Sequence, residues 1–137
     1  MFKWKDKYSC NIESIDLQHK QLFNLGNELY ELIKNNKNHD NYDQIQQILI
    51  ELKDYTVYHF EYEEKLMKEY GYSDLENQKI EHKAFLDKIL NIEIKDIDED
   101  QLNVMMDMMM FVANWIEMHI VKSDMKYKSF FNDNGLY

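Results

Sequence analysis

Four of the five histidines, His19, His59, His82 and His119, fall on apolar stripes of segments that read as helices. Each belongs to a different segment, so a bundle could bring all four imidazoles to one level of its core. Glu63 follows His59 by four residues, which puts a carboxylate one turn from an imidazole on the same helix face. A single histidine in such a stripe is more often a core residue with a hydrogen-bonded neighbour. Four of them beside an aligned glutamate ask for more. Uncompensated buried imidazole and carboxylate are costly, and a metal ion is the usual compensation. Asp124 comes five residues after His119, about 140° around a regular helix, so it reaches the same centre only if the helix ends or distorts there. A nitrogen and oxygen donor set without thiolate suits iron, manganese or zinc. Four histidines and two carboxylates exceed the needs of one tetrahedral zinc and match two metals sharing bridges.

Four helices are needed to hold these residues. The first is expected over about residues 16–34, with Leu22, Phe23, Leu25, Leu29, Leu32 and Ile33 at helical spacing. An asparagine-rich break over residues 35–41 follows it and suits a turn. The second covers residues 42–70 and turns Ile45, Ile48, Leu49, Leu52, Tyr55, Tyr58 or His59, Tyr62 and Leu66 inward. Gly71 then stands where a left-handed C-terminal residue would sit. Ser73 and Glu76 have the spacing of a capping box for a third helix that runs to about residue 92 and gathers Leu75, His82, Phe85, Leu86 and Ile89. The fourth starts in the acidic stretch 98–100, continues to about residue 121, and leaves a short aromatic tail over 122–137. About fifteen residues remain as an N-terminal arm. Helices of about 20 residues span about 30 Å, and short connections make neighbours antiparallel. The expected fold is all-α: an antiparallel up-down-up-down four-helix bundle forming one domain over residues 1–137.

Composition supports that reading and excludes others. The 137 residues contain no proline and only three glycines, too few chain breakers for an all-β protein. Acidic residues outnumber basic ones 26 to 16, and every basic residue is lysine, so the net charge of −10 disfavours nucleic acid and anionic lipid. The longest fully apolar run, residues 108–113, is far too short for a membrane span. Cys10 is the only cysteine, which precludes an internal disulfide and suits a reducing compartment. With no signal-like N-terminus, a soluble, cytoplasmic and monomeric protein is expected. Met105, Met106, Met108, Met109 and Met110 read as core and surface filling, because thioethers suit soft copper. Cys10 reads as a partnerless arm residue. His39, Glu61, Glu64, Glu69 and the acids at 98–100 read as loop or solvated surface.

Taken together, Phe2-x-Trp4, Ile15-Asp16-x-Gln18-His19, His59-Phe60-x-x-Glu63-Glu64-x-x-Met67, His82-x-x-Phe85 and Trp115-Ile116-x-x-His119-Ile120-x-x-x-Asp124 resemble the bacteriohemerythrins of the hemerythrin family. The resemblance spans residues 2–127. It implies a four-helix bundle holding two iron ions, oxo- or hydroxo-bridged, with O2 as a reversible ligand. It also implies that His19 and His59 serve the iron open to O2, His82 and His119 the other, and that Glu63 and Asp124 bridge them. Phe60, Trp115, Ile116 and Ile120 would line an apolar O2 pocket. The family carries His-x-x-x-His on its third helix, and here Leu86 stands four residues after His82. A vacated ligand position at the second iron is therefore expected, and His39 in the asparagine-rich break is a poor substitute.

Two functions of different class follow. The first is a non-enzymatic O2-binding protein for storage, delivery or sensing. The second is a di-iron enzyme with peroxidase, nitric oxide reductase or oxidase activity at the vacated position, fed by a separate electron donor. A long-lived oxygenated species marks the first, and turnover with reductant marks the second. A metal-free signalling bundle is a weaker third reading, tested by iron analysis.

Overall fold

A computed structural model describes residues 3–35, 42–90 and 101–137. The break containing His39, the end of the third helix beyond residue 90 and the acids at 98–100 lie outside the described residues, as do Phe2 and the side chains of Ile33, Ile45 and Met105. Helices α1 (Glu13–Lys34), α2 (Tyr42–Tyr70), α3 (Leu75–Leu90) and α4 (Gln101–Met118) form an antiparallel four-helix bundle, with no strand among the described residues. Among the described residues, no helix is long and apolar enough to cross a membrane.

The ends differ from the sequence expectation in ways that matter. The N-terminal arm is shorter and is not loose. It makes a single 3-10 turn at Asp6–Tyr8, and α1 begins at Glu13. Asp16 ties the arm down: its carboxylate accepts from Ser9 Oγ at 2.6 Å and from the Cys10 N–H at 2.8 Å. At the other end of the chain the tail is a helix. No proline or glycine interrupts the chain from Val121 to Asn134, so nothing stops it. Beyond α4 the backbone makes a π-helical turn at His119–Asp124 and resumes as α5 (Met125–Asp133).

Between these ends the local signals operate as chemistry requires. α2 closes in a Schellman motif: Gly71 takes φ 73°, the Tyr72 N–H donates to the Met67 carbonyl at 2.8 Å, and the Gly71 N–H to Lys68 at 3.3 Å. A side chain at that φ would be strained. Helix α3 starts one residue later than the capping box expected at Ser73 would place it. The Asp74 carbonyl accepts from the Gln78 N–H at 3.2 Å, making Asp74 the N-cap of α3.

Two apolar clusters fill the bundle. The larger joins Leu22, Leu29, Leu52, Phe85, Met108 and Val112 with their neighbours. The smaller joins Cys10, Ile12, Ile15, Met67, Tyr127 and Phe131, so that arm and tail together close one end. Along α2, His59 is buried and Tyr58 exposed, which settles which of the two faces inward. Met108 and Met109 are core residues, whereas Met106 and Met110 lie on the surface, as filling residues would.

Candidate metal centre

A buried polar layer separates the two clusters. Reading along each helix, His19 lies between Ile15 and Leu22, Glu63 between Phe60 and Met67, and Asp124 between Ile120 and Tyr127. His59, His82, His119 and Gln78 complete the layer, and all are buried. Glu63 Oε1 touches His59 Nε2 and lies 3.4 Å from His19 Nε2, while its Oε2 lies 4.0 Å from His82 Nε2. Asp124 divides itself likewise: Oδ2 is 3.1 Å from His19 Nε2 and Oδ1 is 3.0 Å from His119 Nε2. The His82 and His119 Nε2 atoms are 3.1 Å apart. Each carboxylate thus offers one oxygen to each pair of histidines. His19, His59, Glu63 and Asp124 form one group of ligand-type atoms, and Glu63, His82 and His119 form another.

The far sides of the rings fix which nitrogen points inward. His59 Nδ1–H donates to Gln18 Oε1 at 2.7 Å, and His82 Nδ1–H donates to Glu64 Oε2 at 2.9 Å. His119 Nδ1 lies 3.6 Å from Glu81 Oε1, and Glu81 is held in turn by Ser123 Oγ–H at 2.7 Å. Such outer acceptors hold the imidazole tautomer and raise ligand basicity in metal sites. Burial pushes the His59 pKa down, so this ring is neutral at neutral pH. With its proton on Nδ1, His59 aims a bare Nε2 lone pair at a carboxylate oxygen. A metal ion bound by both atoms would resolve that opposition. His59 Nε2 and Asp124 Oδ2 both lack a well-formed hydrogen bond, which is the mark of convergent ligands rather than of a paired polar network.

The electrostatics favour cations at both positions. Burial opposes charge on His119, but the Asp124 carboxylate overrides it and pushes the pKa up to about 10. His19 is raised well above the usual range against the same burial cost, by Asp124, Cys10 and Glu63. Glu63, despite burial, is held well below the carboxylate range by His59 and His19, and Asp124 is lowered by His119 and His19 against burial and Glu63. Without metal, protons stand where cations would, and metal uptake displaces them. The donor set fits two metal ions.

Asp124 meets the condition its spacing set, while several other residues sit differently from expectation. Asp124 reaches the centre because of the π turn: i→i+5 hydrogen bonding brings residues five apart onto one face. Glu64 is not solvated surface. Its side chain is 26% exposed and accepts from His82. Cys10 is a free thiol as expected, but the tethered arm buries it against His19, and burial pushes its thiol pKa up. Leu86 lies half-buried against the apolar cluster. The α3 residue that reaches the centre beside His82 is Gln78, one turn before it, whose Nε2–H donates to Asp124 Oδ1 at 3.3 Å. Sequence reasoning missed Gln78, although it lies four residues before His82 on the same helix face. Tyr127, also missed, donates to Glu63 Oε2 at 3.3 Å. Phe60 stacks on His82 with centroids 3.9 Å apart, Trp115 stacks on His119 at 4.2 Å, and Ile116 and Ile120 are buried nearby in the same cluster.

Comparison with known proteins agrees with this architecture. The family model described as the hemerythrin HHE cation binding domain matches residues 10–131. The bacteriohemerythrin of Clostridium acetobutylicum is 42% identical over 127 residues, spanning 93% of this chain and 98% of that protein. The bacteriohemerythrin of Methylococcus capsulatus is 31% identical over 121 residues, 88% of each chain. A crystal structure of wild-type hemerythrin superposes with a TM-score of 0.75 at 27% identity, covering 93% of this chain and 95% of that one. The match runs through both apolar clusters and the polar layer between them: the chain belongs to the hemerythrin family.

Proposed function

We propose that this protein binds O2 reversibly at a non-haem di-iron centre held by His19, His59, Glu63, His82, His119 and Asp124. The observation that carries the reading is the division of Glu63 and Asp124, each with one oxygen toward either histidine pair. Two ferrous ions, when bound, supply the two electrons that O2 binding draws on. The chain's own residues do the rest. His19 and His59 bring only two imidazoles to their position, which leaves room there for a small ligand. Phe60, Trp115, Ile116 and Ile120 form dry walls that limit entry of water and protons. Tyr127 donates to Glu63 and fixes the carboxylate's orientation.

The departure from the family's third-helix pattern is best placed at Gln78 rather than Leu86, because His82 then takes the second position of His-x-x-x-His and Gln78 the first. A free, buried thiol at Cys10 accords with a reducing cytoplasm, and the role is storage, delivery or sensing of O2.

Anaerobic loading with ferrous iron, metal analysis and visible spectroscopy through cycles of O2 and argon test this. Two irons per chain and an absorption that comes and goes with O2 are expected. Fewer than one iron per chain, or oxidation that argon never reverses, would refute it. A second expectation concerns Gln18, which fixes the His59 tautomer. Gln18→Leu should weaken metal binding on the order of 10–100-fold in competition with a chelator. Unchanged affinity would show that Gln18 does not set that tautomer.

A further inference from the structure

Gln78 is fully buried in the polar layer, one turn before His82 on the inner face of α3. Its Nε2–H donates to Asp124 Oδ1, which is 3.0 Å from His119 Nε2, and that nitrogen is 3.1 Å from His82 Nε2. The amide therefore joins the ring of atoms around the second histidine pair. Its Oε1 is buried without any hydrogen-bond partner among the described residues. A position that needed only packing would carry an apolar side chain, since an unpartnered buried amide oxygen loses its hydration for nothing. The layer already holds two buried carboxylates, so an amide adds an oxygen donor without a third negative charge.

We infer that Gln78 is a metal ligand: its Oε1 completes the second metal position beside His82 and His119, while its Nε2–H₂ anchors Asp124. This rests on the di-iron reading and deepens it. The second position then has two nitrogens and three oxygens, where a histidine in place of Gln78 would give three nitrogens and two oxygens. A neutral amide oxygen binds iron less firmly than imidazole and suits harder, oxygen-preferring ions. The two ions are thus held unequally, and the one beside Gln78 leaves first.

The test loads the full chain with ferrous iron without O2 and follows release to a colorimetric ferrous chelator. The parent protein should hold two irons and release them in two phases. Gln78→Leu should quicken the faster phase about tenfold, or leave a single iron, without changing the slower phase. Gln78→His should slow the faster phase about tenfold. Gln78→Glu keeps the oxygen but loses the N–H₂ group, so it should retain two irons at least as well as the parent. If Gln78→Glu loses iron as Gln78→Leu does, the amide serves only as a donor to Asp124 and ligation is overturned. Parent-like release from Gln78→Leu overturns it as well. Should Gln78→Leu fail to fold by circular dichroism, the Glu and His variants decide alone. A parent chain with less than one iron would instead bring down the di-iron reading itself, an outcome separate from parent-like variants.

Discussion

Glu63→Ala is expected to strip the protein of most of its iron, to fewer than one ion per chain after native purification. Glu63 is the residue of the layer in contact with the most partners that matter. Its Oε1 serves His59 and His19, its Oε2 faces His82, and Tyr127 donates to that same oxygen. Truncation removes one of the two buried carboxylates that His19 faces and the oxygens that face His59 and His82, and removing one partner of a buried charged network costs about 3–5 kcal/mol. Glu63→Gln keeps the volume and loses the charge, so it separates electrostatics from cavity formation and should also lose iron. Circular dichroism confirms that the bundle persists. Iron content equal to the parent's in both variants would mean that Glu63 does not bridge.

The second large effect is structural and lies beneath the site. Phe131 is fully buried and packs edge-on against Tyr70 at 5.3 Å and Tyr127 at 5.1 Å. Phe131→Ala should destabilise the metal-free protein by about 4 kcal/mol, as large-to-small core changes do. For a chain of this size that lowers the melting temperature on the order of 10 °C. A tail that only lay on the surface would tolerate the change within about 0.5 kcal/mol. A thermal melt of the iron-free variant chooses between the two, and an unchanged midpoint would show the tail to be dispensable.

The convergence of His19, His59, Glu63, His82 and His119 was legible because helical periodicity is a local property: each residue announces its own face. The bundle was legible for the same reason, down to the bounds of α2. What stayed hidden depends on partners distant in the chain. The contact of Glu64 with His82 joins residues 18 apart, and no pattern within α2 distinguishes Glu64 from the exposed Glu61. Cys10 becomes a neighbour of His19 only once Asp16 has folded the arm back. Gln78 was overlooked because i−4 and i+4 from His82 lie on one face of a helix in isolation. Only the position of Asp124 tells them apart, and that position depended on a π turn that a count of 3.6 residues per turn does not foresee.

That π turn also bears on which changes of length this helix can absorb. Each i→i+5 turn encloses one residue more than an α turn does. The continuous run from Gln101 to Asp133 therefore contains one surplus residue, located between His119 and Asp124. Val121 and Lys122 both face outward there. Loss of either would let the segment close at ordinary pitch with the histidine and aspartate four apart, still on a common face. Loss of a residue elsewhere in α4, such as the exposed Asn114, has no such slack to draw on and would turn one half of the helix about 100° against the other. The histidine, the aspartate and the aromatic plug beyond them would all keep their identities and lose their alignment.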